Sequence, residues 1–100
     1  MDKVSILSVN AQGLGDKNKR KDAFKFLKEK KASIYFIQDT HFTDREVKHI
    51  YIEFGYTSYF SNNSSNSRGV AIFIDNKLDF KMNSIFTDKE GNLIIFRLSN

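Results

Sequence analysis

The apolar positions of the chain fall into short blocks whose period changes from one block to the next. Val4 to Val9 is a β-branched and apolar run closed by Gly13 and Gly15, which predicts a strand followed by a loop. From Asn18 to Lys31 the apolar residues Ala23, Phe24 and Leu27 recur one turn apart among lysines, the pattern of a helix lying on a sheet. Ile34 to Ile37 lacks polar alternation and predicts a strand covered on both faces. A strand, helix and strand of these lengths make a βαβ-like unit with parallel strands. Thr43 and Glu46 then match a capping box, and Val47, Ile50, Tyr51 and Phe54 share one face before Gly55, predicting a second helix. Tyr56 to Phe60 reads as a strand, Ser61 to Arg68 as a polar Ser/Asn loop, and Gly69 to Ile74 as a strand again. Leu78 to Phe86 and Leu93 to Leu98 follow, with turns at Asp75-Asn76-Lys77 and at Asp88 to Asn92. The last three strands predict an antiparallel meander.

An α/β fold follows: a mixed β-sheet with two covering helices. Val70 to Ile74 and Ile94 to Leu98 alternate poorly and are apolar on both sides, yet two helices cover one face only. A second layer is expected against the other face, and expected to be missing from the chain. There is no internal repeat and no linker that divides the sequence.

Composition narrows the chemistry. One hundred residues make at most one small domain, and the content of Ile, Phe and Leu is enough for a core. The absence of cysteine removes disulfides, thiolate catalysis and zinc-finger chemistry, and fits a reducing compartment. Met1-Asp2-Lys3 opens no signal peptide, and no apolar stretch reaches the roughly 20 residues that span a bilayer. The expectation is an intracellular protein, nuclear or cytoplasmic, with no membrane partner. The net charge of +4 is concentrated: Lys17, Lys19, Arg20, Lys21, Lys25, Lys28, Lys30 and Lys31 crowd one segment. That segment reads as the solvated face of an amphipathic helix, and the same face attracts polyanions.

Four motifs in order carry a resemblance. The residues from Ile6 through Asn10 and Gly13 to Leu14, the basic helix, the run Ile34 to His41 that ends Gln38-Asp39-Thr40-His41, and the run Ser67-Arg68-Gly69 into Ile74 resemble the N-terminal half of the endonuclease domain of LINE-type (non-LTR) retrotransposons. That domain belongs to the endonuclease/exonuclease/phosphatase superfamily. The resemblance covers essentially residues 1–100 and implies half of a four-layer α/β sandwich, that is, a partial domain. It implies a Mg²⁺-dependent DNA phosphodiesterase derived from a mobile element, with DNA as partner.

Residue by residue, Asn10 matches the family's asparagine at the metal and phosphate site. A carboxamide there offers an oxygen and two donor hydrogens for a phosphate or a metal-bound water. Without the resemblance, Asn10 is a turn-forming residue after a strand. Asp39 matches the family's acidic metal ligand, normally glutamate, and Gln38 the glutamine before it. Aspartate supplies the hard oxygen that Mg²⁺ takes at about 2.1 Å, from a side chain one methylene shorter, so weaker metal binding is expected. The bland alternative is a strand-end or capping aspartate. The resemblance puts Gln12, Thr40, His41 and Arg68 near the nucleic acid. An imidazole is a candidate general base, but the family's catalytic histidine lies far C-terminal, so His41 is expected as a loop residue and His49 as an exposed helical one. The family's tyrosine, Asp-x-Asn pair and final Asp-His pair have no counterparts here. Asp75, Asn76, Asp79 and Asp88 fall in predicted turns and do not replace them. The expectation is an endonuclease part inactive alone, its other half a possible partner. The alternatives are a small basic nucleic-acid-binding module without catalysis, or a product with no selected activity.

Overall fold

A computed structural model describes residues 4–45, 47, 48, 50, 56–62, 68–78, 80–87 and 93–99, with backbone only at Met82 and Phe96. Its elements are strands β1 (Ile6–Asn10), β2 (Ile34–Gln38), β3 (Thr57–Ser61), β4 (Val70–Ile74), β5 (Lys81–Thr87) and β6 (Ile94–Ser99), with helix α1 (Lys17–Lys30) between β1 and β2. Four strands form a mixed sheet in the order β1-β2-β4-β3, and β5 and β6 form a second, two-stranded sheet. β1 and β2 are parallel, as a βαβ unit requires.

Helix α1 starts where Asp16 caps it, its Oδ1 accepting from the Asn18 amide at 3.2 Å. It stops at Lys31, whose left-handed backbone closes the last turn through a bond from its amide to the Lys28 carbonyl. Phe24 and Leu27 are buried on the sheet beside Leu7, Val9, Tyr35, Ile37 and Phe73. Most of the basic segment is exposed, as a solvated face should be. Arg20 is the exception. Only 6% of it is exposed, and its Nη1 donates to the carbonyls of Leu14 at 3.0 Å and Gly15 at 3.3 Å. It pins the loop between β1 and α1 and does not belong to the charged surface.

The predicted meander is corrected. β4 pairs with β2 and β3, both antiparallel, whereas β5 leaves the sheet and pairs with β6. This also corrects the expectation that the second face lacks cover within the chain. Ile34, Ile72 and Ile74 on that face pack with Leu78, Phe80, Ile94 and Leu98, so the β5–β6 hairpin supplies a layer opposite α1. The double-sided apolar runs are explained by burial from both directions. Of the predicted second helix, Asp44, Arg45, Val47, Lys48 and Ile50 have helical backbone, and Ile50 is fully buried. Glu46, His49, 51–55, the loop 63–67, Asp79 and Asp88 lie outside the described residues.

Tyr35 joins the helix to the sheet. Its buried hydroxyl donates to the Leu27 carbonyl at 2.7 Å, one that the helix end leaves orphaned, and accepts from the Ala32 amide just past the helix at 3.0 Å. Tyr35→Phe leaves both unsatisfied, and a loss of about 1–3 kcal/mol is expected in urea unfolding. Tyr56 stacks at a tilt on Tyr35, 5.7 Å between ring centres. Burial, with Tyr35 and Asp75 nearby, pushes its phenol up to about 12 from 10.0. The unfolded chain therefore loses this proton first. The contribution of Tyr56 is intact below pH 10 and is lost as pH rises toward 12. Unfolding midpoints measured across that window should fall more steeply for the natural chain than for Tyr56→Phe.

Candidate functional site

The parallel register sets Asn10 opposite Gln38, so Asp39 lies one residue past the end of the neighbouring strand, at the same end of the sheet. The pairing continues past both strand ends. The amides of Ala11, Gly13 and Leu14 donate to the carbonyls of Gln38, Asp39 and Thr40 at 2.8, 2.8 and 2.7 Å. On the other side, the amides of Thr40 and His41 donate to the carbonyls of Gly69 and Arg68 at 3.0 and 2.6 Å. The segment 39–41 is thus held between the β1–α1 loop and the start of β4.

This edge is where the backbone is strained. Gln12, Asp39, His41 and Arg68 have φ of 52°, 57°, 62° and 58°, beside Gly13 at 91° and Gly69 at 101°. Lys31, at the helix cap, is the one other positive-φ position among the described residues. A left-handed non-glycine residue costs roughly 1–2 kcal/mol. Strain of this kind collects at functional sites, where surrounding contacts over-determine it. The two glycines let neighbouring side chains approach. A Cβ on Gly13 would sit 2.7 Å from the His41 Nδ1, and one on Gly69 would collide with the Thr40 hydroxyl.

The side chains divide into two groups. Asn10, Gln12 and Arg68 are exposed, and Gln38 is half-buried. The Asn10 Oδ1 accepts from the Gln12 amide at 3.0 Å, a turn-forming bond that shapes the loop after β1. The Gln38 Nε2 donates to the Ser8 Oγ at 2.9 Å, holding the side chain across the two strands. Asp39 and His41, each 36% exposed, form a pair with the His41 Nε2 and Asp39 Oδ1 2.6 Å apart. Sequence reasoning did not anticipate this pair, although spacing by two at a strand end allows it. Thr40 differs from the expectation. It is fully buried, and its Oγ1 accepts from the Phe42 amide at 3.4 Å. Its side chain braces the loop and is not on the surface that a nucleic acid reaches in this conformation. Lys19 also ties into the edge, its Nζ donating to the Gln12 carbonyl at 2.9 Å.

The oxygens at this edge are hard donors. Mg²⁺ is usually bound through one or two carboxylates with water or phosphate completing its octahedron. Asp39 offers the carboxylate and Asn10 a neutral oxygen at the adjacent strand end. No cluster of three or more His, Cys, Asp or Glu side chains placed for a metal occurs among the described residues. No helix among them is long and apolar enough to cross a membrane.

No protein-family model matches the chain.

The glycine seat for Thr40 gives a direct test. Gly69→Ala forces an L-residue into a left-handed backbone against a buried side chain. A loss of about 2–4 kcal/mol is expected in chemical unfolding.

Proposed function

We propose that this chain is the N-terminal part of a Mg²⁺-dependent DNA endonuclease domain of the LINE-type retrotransposon kind, carrying the metal-binding edge of the site and inactive by itself. The observation that carries this reading is the β1–β2 register, which sets Asn10 opposite Gln38 and so leaves Asn10 and Asp39 at the same end of adjacent parallel strands. In it, Asp39 holds the cation, Asn10 orients a phosphate oxygen or a water, and Gln38 steadies the strand end through Ser8. The bound metal supplies charge neutralisation and polarisation of a phosphoryl oxygen. Gln12, His41 and Arg68 face the DNA backbone, with His41 also fixing the Asp39 carboxylate. Hydrolysis further needs an oriented water and a stabilised leaving group, for which the matched residues provide no second carboxylate and histidine set.

The layering supports the same reading. Helix, mixed sheet and hairpin sheet in sequence suit one half of a sandwich in which two sheets pack face to face. Ile6 at the edge strand, together with Phe86 and Ile95 as a cross-strand pair on the hairpin, are more than half exposed. Apolar surface of this kind suits cover by the remainder of a domain. A second reading, nucleic-acid binding without cleavage, is favoured by one observation: the exposed lysines of α1 together with the exposed Arg68.

Two measurements test the first reading. Supercoiled plasmid incubated with the chain and Mg²⁺ should stay supercoiled, and robust nicking would overturn the claim of inactivity. Calorimetric titration should show weak Mg²⁺ binding that disappears in Asp39→Ala. Equal heats from both proteins would remove Asp39 from the site.

A further inference from the structure

The N-terminal end of helix α1 is crowded with lysine. The N-terminal end of a helix carries positive partial charge, which acidic side chains stabilise and cationic ones oppose. The first turn of α1 contains no acidic residue, whereas Lys17, Lys19 and Lys21 stand at that end. Among the described residues no carboxylate pairs with Lys17, Lys21, Lys25 or Lys31. At that end the Asp16 carboxylate caps the helix, and the lysines outnumber it.

These lysines share a groove. A cavity of about 780 Å³ runs along one flank of α1, walled by Lys17, Lys21, Lys25, Lys28 and Lys31, with the Phe24 ring in its lining. Glu29 is the one carboxylate lining it among the described residues. At a rise of 1.5 Å per residue, successive lysines lie about 4.5–6 Å apart along the axis, and the row extends about 21 Å. The groove begins at the first helical residue, beside the loop that Lys19 fastens through the Gln12 carbonyl.

We propose that this groove holds a single-stranded nucleic acid by its phosphodiester backbone. A row of roughly one cation per turn matches a polymer that repeats its anion at regular intervals. Among the described residues the cations lining it are all lysine. Lysine is a point charge that meets phosphate oxygens from many directions, whereas the planar carboxylates of an acidic protein are matched by the arginine fork. A cationic groove that tracks the phosphodiester backbone is how sequence-tolerant proteins hold single strands. The strand-end edge lies at the head of the row, so a strand that reaches Gln12 and Asn10 continues along α1. The groove is separate from the metal chemistry proposed above and does not require it.

The test is fluorescence anisotropy of a labelled single-stranded oligonucleotide of about 15 nucleotides, with the 100-residue chain in EDTA. Affinity should fall steeply with salt. The triple variant Lys17→Glu, Lys21→Glu, Lys25→Glu should bind at least about tenfold more weakly, with a salt slope shallower by about 2, from 0.7 per lost phosphate contact. Circular dichroism confirms its fold. Should the glutamates unfold the helix, the neutral triple Lys17→Gln, Lys21→Gln, Lys25→Gln carries the same comparison. The control triple Lys30→Glu, Lys77→Glu, Lys81→Glu makes the same change in net charge at exposed positions off the groove, and should weaken binding much less. Equal weakening by both triples would reduce the effect to net charge and overturn the proposal. So would equally tight binding of a duplex, or competition by polyglutamate as strong as by unlabelled oligonucleotide, which would indicate a protein partner. Because EDTA removes any cation, binding under these conditions reads the groove alone, so failure of the metal reading and failure of the groove are told apart.

Discussion

The amides of Ala11, Gly13 and Leu14, bonded to the carbonyls of Gln38, Asp39 and Thr40, carry the β1–β2 pairing beyond the last residue of either strand. The candidate site exists because of that continuation. Side chains alternate along a strand, so a one-residue slip would exchange the faces of Asn10 and Val9. Leu7 and Val9 pack with the helix-side core, and that packing fixes the register. The bonds from Thr40 and His41 to Gly69 and Arg68 lock the other side. The left-handed residues sit within these two seams, and the hydrogen bonds offset the strain that the turns impose.

The same seams explain two burials that composition would not suggest. Thr40 is enclosed because Gly69 has no side chain to exclude it. Arg20 is enclosed because its guanidinium is the donor for the Leu14 and Gly15 carbonyls, which the loop leaves without strand partners. A buried charge is tolerated when hydrogen bonds satisfy it. With Tyr35 anchoring the other end of the helix, α1 is fastened to the sheet at both termini, and its lysines are left on the outside.

Much of the fold was legible in the sequence, and the reasons differ by element. α1 announced itself through Ala23, Phe24 and Leu27 at helical spacing, and β2 through an unbroken apolar run. The parallel pairing followed from the helix between two strands. Strand partners were harder: β4, β5 and β6 are successive in the chain, but β4 is apolar on both faces and takes the central place between β2 and β3. A hairpin that returns over the sheet has the same local pattern as a meander, so sequence spacing does not separate them. At the candidate site, the apolar runs before Asn10, Gln38 and Asp39 placed these residues at strand ends, and their link to a metal came from the resemblance. The Asp39–His41 pair and the buried Thr40 depend on positive φ at non-glycine residues, which side-chain identity does not disclose. Arg20 was hidden among lysines, since charge patterning alone cannot tell a loop tie from a surface cation.

The central claim is that the Asn10 and Asp39 strand ends form one cation seat. Paramagnetic line broadening by substoichiometric Mn²⁺, read on the backbone amides of the labelled chain, tests it most directly. Mn²⁺ takes the same hard oxygen ligands as Mg²⁺. The account predicts that the amides flanking Asn10 and those flanking Asp39 broaden together, and that Asp39→Ala abolishes both effects. Broadening centred elsewhere, or at one of the two strand ends without the other, would contradict it.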